Sequence, residues 1–196
     1  MNLTTALLTC LVLAVEPKPE QLTKTRADLA SPNAVTRREA IKRLVHSDLS
    51  PHMFIEMQAA LKDTDGEVRS TAATAIGNLG EMAGPAIPVL ITQLQRDPVK
   101  EARETAARAL GRIGKAIPKD HSVVDPLKKA AAEDADSVTR TVAIGALAMV
   151  GVDESGQIAA LRKFLAHDDP LVRMKAAHAL GMIDRKSTRL NSSHRT

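Results

Sequence analysis

The sequence has 196 residues, with two phenylalanines and neither tryptophan nor tyrosine, which excludes a globular core built on large aromatic rings. Its formal net charge is +4, but residues 184–196 hold four basic residues and one acidic residue, and the remainder holds 23 basic and 22 acidic residues, a net charge of +1. A nearly neutral body attracts nucleic-acid phosphates only weakly at long range.

The N-terminal residues 1–15 form an apolar segment that is too short to span a bilayer as a helix, so no stable membrane insertion is expected. The segment resembles the apolar part of a secretory signal peptide, although the usual basic residues before it are missing. We therefore expect an exported protein, with a cytoplasmic location as the alternative. Residues 16–20 (EPKPE) are predicted to be a linker. Cys10, the single cysteine, lies in the apolar segment, so cleavage would leave no thiol.

One pattern recurs five times between residues 21 and 183. An arginine is followed by an alanine three residues later and by leucine or isoleucine seven residues later, the spacing of one helix face. The arginines are Arg37, Arg69, Arg103, Arg140 and Arg173. A module of this length cannot bury its apolar side alone, so the pattern predicts an all-α solenoid of about five stacked helix pairs.

Each arginine-led helix is predicted to follow a shorter apolar helix and a turn rich in Asp, Pro and Asn, which ends one helix and caps the next. The shorter helices are expected at residues 21–30, 51–62, 85–96, 123–132 and 157–166. Ser50 and Pro51 are typical of a helix start, with a capping side chain followed by proline.

Glycine recurs at two positions near the ends of the arginine-led helices. One set follows the last apolar residue and predicts left-handed helix ends. Its members are Gly80, Gly114 and Gly151. The other set lies eight residues after the arginine and is expected to let helix backbones approach closely. Its members are Gly77, Gly111 and Gly181.

The strings VRSTAATAIGNLG, ARETAARALGRIG and VRMKAAHALGMI resemble the second helix of bacterial HEAT repeats of the lyase-associated type. The resemblance covers residues 21–183 and implies an α-solenoid. It also implies a structural role for the five arginines, each linking its helix to nearby turns, with an anion-binding site as the alternative. Such repeats indicate a fold and carry almost no information about function.

The last residues, 184–196, are expected to be non-native. The string DRKSTRLNSSH resembles the translation of a sequencing adapter, and it begins where the helical periodicity ends. We therefore expect the natural repeat array to continue beyond Ile183.

Catalytic, cofactor and metal sites are not indicated by any motif. The histidines show no pair with metal-binding spacing, and the acidic clusters, including Asp168 and Asp169 beside His167, are interpreted as helix caps. No glycine-rich phosphate loop or nucleophile motif occurs. The sequence therefore predicts a protein that is not an enzyme and uses no cofactor.

The surface positions of the second helices are polar in the first three repeats and apolar in the last two. The candidate partner-binding residues are Val142, Met149, Met174, Lys175, His178 and Met182. Methionine-rich surfaces adapt to partner shapes, so this strip is expected to contact another protein. The alternative is that the strip packs against further repeats.

Three functions remain open at this stage. The leading hypothesis is a protein-binding scaffold that acts through its concave helix face. Because similar repeats occur in bilin lyases, an accessory subunit of such a lyase is the second. The third is a nucleic-acid-binding solenoid that resembles the HEAT-like alkyl-purine glycosylases. Its basic residues on the concave face would be Arg38, Lys42, Arg108, Arg112 and Lys175. Aromatic residues that could stack on bases are missing, so we expect no nucleic-acid partner.

Overall fold

The computed structural model describes residues 19–45, 51–152 and 154–193, and within these ranges it contains ten α-helices and no strand. The first helices of the five pairs are α1 (Pro19–Leu29), α3 (Phe54–Ala60), α5 (Ile87–Arg96), α7 (Val124–Glu133) and α9 (Glu154–Phe164). The second helices are α2 (Ala34–Val45), α4 (Gly66–Gly77), α6 (Lys100–Ala116), α8 (Ser137–Val150) and α10 (Pro170–Ser193). The predicted all-α solenoid of five helix pairs is confirmed.

Several predicted boundaries differ from the observed ones. Helix α1 begins at Pro19, inside the predicted linker. Short 3-10 helices, Pro51–Met53 and Gly80–Ala86, precede α3 and α5. Helix α10 does not end at Ile183 but continues to Ser193. The apolar segment 1–15 with Cys10 lies outside the described residues, as does Ser50.

The second helices form one layer and the first helices form the other, with the hydrophobic core between them. Neighbouring second helices contact one another extensively, whereas neighbouring first helices hardly touch. The row of second helices is therefore the inner, concave side of the stack. The repeated alanine three residues after each arginine is fully buried in all five pairs. The repeated leucine or isoleucine is fully buried in the first four pairs, and Leu180 is partly buried in the fifth.

Glycine sets the close approach of the second helices at two positions. A Cβ atom on Gly77 would lie 2.8 Å from the Cα of Ala109, and one on Gly111 would lie 2.8 Å from the Cα of Ala146. Both glycines therefore have the packing role that the sequence predicted. The same prediction is wrong for Gly181, because no described atom lies within 4 Å of its Cβ position. Helix α10 has no further second helix beside it in the described part of the chain.

The predicted left-handed helix end is confirmed at Gly151, Gly80 is left-handed but lies three residues beyond the last residue of α4, and the prediction is wrong at Gly114. Gly80 has a φ of 59° and Gly151 a φ of 89°, and the N–H of Gly151 donates to the carbonyls of Leu147 and Ala148 at the end of α8. Gly114 lies inside α6 instead. It is a packing glycine, because a Cβ there would lie 2.8 Å from the Cγ2 of Val123.

Arginine and aspartate side chains connect the turns of successive repeats. Nε and Nη2 of Arg37 each donate to a carboxylate oxygen of Asp63, 2.7 Å away, in a two-pronged ion pair. The backbone carbonyl of Asp63 in turn accepts from Nη1 of Arg69 at 2.8 Å. Asp63 therefore binds the arginine of the preceding repeat and that of its own repeat. The same arrangement recurs in the pairs Arg69–Asp97 and Arg103–Asp134. We call this series the Arg–Asp ladder.

The ladder ends at the fourth repeat. Nη1 of Arg140 donates to the carbonyl of Asp134 at 2.6 Å, but its Nη2 donates to the Ser137 hydroxyl and it makes no ion pair among the described side chains. His167 stands where the next aspartate is expected. The backbone carbonyl of His167 accepts a hydrogen bond from Arg173. Its Nδ1 accepts from the backbone N–H of Asp169 at 3.0 Å, just as the carboxylate of Asp63 accepts from the N–H of the residue two positions later.

The hydrophobic core is also divided between the fourth and fifth helix pairs. One cluster runs from Ile41 to Leu147 through the first four pairs. A second, smaller cluster joins the end of α8 to α9 and α10 and consists of Ile144, Ala148, Leu161, Ala176, Ala179 and Ile183. The fifth pair is thus attached without a ladder ion pair and by a separate core.

The packing role of Gly111 predicts an effect opposite to ordinary helix propensity. Alanine is better than glycine in a helix by about 1 kcal/mol. At Gly111 the new methyl would lie 2.7 Å from the Cβ of Ala146, and such overpacking costs about 1–3 kcal/mol. We expect Gly111→Ala to be less stable than the wild type in urea unfolding. Gly181→Ala, at the same repeat position with open space, is the control and should be more stable. Equal effects of the two substitutions would contradict this packing role.

The ladder also predicts a loss of stability in acid. Burial raises the pKa of the Asp63 and Asp134 carboxyls and is the largest single effect. The hydrogen bonds from Arg37 or Arg103, the backbone hydrogen bonds from two residues on and the nearby arginine charges together outweigh it, so both pKa values lie below the ordinary value. Carboxyls with a lowered pKa stabilise the fold while ionised. Their contribution is complete above about pH 4 and is lost as the pH falls through the lowered pKa.

Asp63→Asn should therefore weaken the dependence of the unfolding free energy on pH in this acid range, as well as lower stability at pH 7. Asp168→Asn is the matched control, since Asp168 is an exposed turn residue. Urea unfolding over a pH series measures both variants. An acid dependence in Asp63→Asn as steep as in the wild type would count against the ladder as its source.

Candidate functional site: a groove across three second helices

The inner surface of the first three repeats is polar and internally bonded. Arg38 pairs with Glu67 of the next repeat, and the Asn78 amide oxygen accepts from Arg112. The hydroxyl of Thr105 lies 3.3 Å from that of Ser70. These contacts join polar side chains of neighbouring repeats, although the Nε of Arg38 is buried without a hydrogen-bond partner among the described residues.

A groove of about 310 Å³ crosses the inner surface of α6, α8 and α10. Its lining includes all six candidate partner-binding residues, Val142, Met149, Met174, Lys175, His178 and Met182. Arg108 and Arg112 of α6 form the wall on the side of the third repeat. The strip found in the sequence therefore lies in one depression shared by three repeats rather than only on the end of the stack.

The groove exists because the fourth repeat lacks a side chain where its neighbours have one. The position five residues after the repeated arginine is Arg108 in the third repeat and His178 in the fifth, but Gly145 in the fourth. A Cβ on Gly145 would lie 3.0 Å from the Cβ of Ala179, so the floor consists of closely packed backbone and alanine methyls. Long side chains on either side then form the walls.

The apolar lining is partly open to solvent. Met174 is 56% exposed and Met182 is 36% exposed, whereas Val142 and Met149 are half-buried. The neighbouring Thr141 is fully buried, and its hydroxyl donates to the carbonyl of Ser137.

One carboxylate, Glu104, joins the two ends of the groove. Its side chain accepts from Nζ of Lys175 at 2.7 Å and pairs with Arg108, so a residue of the third repeat contacts one of the fifth. The Glu104 side chain is only 14% exposed. Sequence reasoning found Lys175 and Arg108 but missed Glu104, because the contact joins residues 71 positions apart.

Arg112 carries the least compensated charge of the groove. Desolvation by the surrounding groove lowers the pKa of its guanidinium, and the positive charge of Arg108 one helical turn away lowers it further. Its hydrogen-bond partner is the neutral amide of Asn78. The two guanidinium groups therefore repel each other on the same wall.

Within the described ranges, no group of three or more His, Cys, Asp or Glu side chains has a metal-binding arrangement. No described helix combines the length and the apolar character needed to cross a bilayer. The groove itself contains an imidazole, an amine and two guanidinium groups but no nucleophile paired with a base. Its lining combines apolar side chains with positively charged ones.

The fold and groove define a helical-repeat protein with an open, partly apolar groove on its inner face. The family model for HEAT repeats matches residues 20–111, 55–148 and 124–190, so the chain belongs to the HEAT-repeat family. This confirms the resemblance carried by the second-helix strings. No curated protein matches the chain.

Two solved structures have the same architecture. The chain is similar to one from the complex of CpcE and CpcF of phycocyanin lyase from Nostoc sp. PCC7120, with a TM-score of 0.56 and 24% identity over 82% of this chain. It spans 64% of that chain's length. It is also similar to a designed armadillo repeat protein in complex with the peptide (KR)4, with a TM-score of 0.52 and 21% identity over 81% of this chain and 80% of the other. Both likenesses concern the fold.

If the groove methionines belong to a binding surface and not to the core, polar substitutions there should be tolerated. Met174→Ser should change the unfolding free energy by less than about 0.5 kcal/mol, because the side chain is exposed. Leu161→Ala, in the fully buried core of the same repeat, should cost about 2–5 kcal/mol. Thermal and urea unfolding measure both. A loss at Met174 comparable to that at Leu161 would show that the methionine supports the fold.

Proposed function

We propose that this chain is a non-enzymatic scaffold that binds a segment of another protein in the groove between α6, α8 and α10. The observation that carries the proposal is the convergence of four apolar side chains, from two helices, on one open depression of an otherwise polar inner surface. These are Val142, Met149, Met174 and Met182.

The free energy available to such binding is hydrophobic. Covering apolar surface yields about 25 cal/mol per Å². The exposed methionines can adjust their side chains to the shape of the bound segment. The groove volume of about 310 Å³ is at the lower limit of ordinary ligand pockets and accommodates a few side chains. An extended segment or one helix face therefore fits better than a folded domain.

The solved relatives support a role in protein recognition by analogy. Both are described in complexes, one with a second protein and one with a peptide. The armadillo protein provides a precedent for a peptide bound by a stack of helical repeats. This proposal also takes up the concave-face hypothesis drawn from the sequence.

Affinity capture from the native host with matched variants tests this function. Val142→Glu places a charge in the groove, and Thr71→Glu places the same charge at the same repeat position outside it. Met182→Glu is a second groove variant at an exposed site, which avoids a folding defect. We expect a protein that is captured by the wild type and by Thr71→Glu and lost with both groove variants, while circular dichroism spectra stay unchanged.

The captured protein is then purified, and its binding to the same three variants is measured by calorimetry. Stoichiometric copurification of a small molecule with no groove-dependent protein would contradict the proposed scaffold role.

A second function is favoured by the likeness to a chain of a phycocyanin lyase complex. In this alternative the chain is an accessory subunit of a bilin lyase, and the groove holds the lyase partner or its protein substrate. Coexpression with a phycobiliprotein subunit and a bilin tests it, with covalently bound chromophore measured by absorbance under denaturing conditions. Attachment that requires this chain would support the accessory role, and attachment at the same level without it would rule the role out.

A further inference from the structure

The charges around the groove are unevenly matched. Arg108, Arg112 and Lys175 bring three positive charges, and the carboxylate of Glu104 contacts two of them, Arg108 and Lys175. Glu104 is nearly buried and is shared between Arg108 and Lys175, so its oxygens are committed to those two contacts. Arg112 remains paired with the neutral Asn78 amide. The groove therefore presents a net positive charge beside its apolar floor.

The position of Arg112 makes this charge useful for recognition. The guanidinium lies one helical turn from that of Arg108, and the groove already removes part of its water. A carboxylate placed between the two would relieve their repulsion and accept charge-assisted hydrogen bonds, which are roughly twice as strong as neutral ones. A cationic side chain at the same place would be repelled.

The apolar lining of the same groove restricts which class of ligand can place a carboxylate there. A ligand that fills the groove must also pack aliphatic atoms against Met149 and Met182. Nucleic acid offers phosphates but would place bases on a surface that lacks aromatic side chains to stack on. A peptide that alternates acidic and aliphatic side chains satisfies both requirements.

We infer that the groove selects peptide segments in which an Asp or Glu side chain pairs with Arg112 and neighbouring aliphatic side chains pack on the methionines. This inference rests on the proposed protein-binding function and names the class of partner. The groove thus prefers acidic peptides, whereas a surface that binds a lysine- and arginine-rich peptide prefers basic ones.

Selection from a random peptide display library against the full chain tests the inference. Parallel selections use Val142→Glu, Arg112→Glu and Arg96→Glu. Arg96 lies at the exposed end of α5, so its reversal changes the net charge equally without touching the groove. Synthetic peptides from the wild-type selection are then measured by calorimetry at low and high salt.

We expect peptides enriched in Asp or Glu together with Leu, Ile or Met, and weaker binding at high salt. Arg112→Glu should weaken these peptides by at least about tenfold, as the loss of a charge-assisted hydrogen bond implies, and should shift the selection towards Lys or Arg. Arg96→Glu should bind them as the wild type does.

The possible failures are distinguishable. If no selected peptide depends on Val142, the proposed groove function fails and the inference fails with it. If peptides depend on Val142 but show no acidic enrichment, or bind Arg112→Glu as tightly as the wild type, the function stands and the charge preference is wrong. Duplex DNA that binds at physiological salt and is lost with Arg112→Glu would also overturn the inference.

Discussion

The stack depends on a contact in which one aspartate connects two repeats. In each of the three Arg–Asp pairs, the guanidinium binds the carboxylate of an aspartate in the following turn. The backbone carbonyl of that same aspartate accepts a hydrogen bond from the next arginine. Deleting one partner of such a poorly exposed ion pair leaves the other uncompensated, although a whole pair can often be replaced without loss. We therefore interpret the Arg–Asp ladder mainly as a constraint on how adjacent repeats are aligned. With the alignment set, glycine and alanine on facing helices meet closely.

The groove arises where this regular pattern is interrupted. Gly145 removes the side chain that the repeat position normally carries, and methionines replace the polar residues found at the same positions in earlier repeats. In the same region His167 replaces the ladder aspartate and the core divides into two clusters. The connection between the fourth and fifth helix pairs, which lacks a ladder ion pair among the described side chains, thus lies beside the most apolar part of the inner surface. A bound segment that contacts α6, α8 and α10 together would bridge this connection, as Glu104 and Lys175 already do.

The repeat architecture could be predicted from the sequence because its signals are local and recur. Arginine, alanine and leucine at fixed offsets define each second helix, and the six candidate residues of the strip do lie in one groove. Their partner-binding role stays a prediction. Features that depend on neighbouring repeats were harder to anticipate. Gly114 looks like a helix end in the sequence but packs against Val123, Gly181 has no neighbour, and Glu104 meets Lys175 across two repeats.

Native-state hydrogen exchange on the wild type and on His167→Asp tests the coupling role of the ladder most directly. Amides of α9 and α10 should open at lower free energy than those of α4, α6 and α8, because the ladder ends before the fifth pair. His167→Asp restores a carboxylate where Arg140 can reach it and should raise protection in α9 and α10 towards that of the other repeats. Uniform protection in the wild type, or no gain in His167→Asp, would contradict the account.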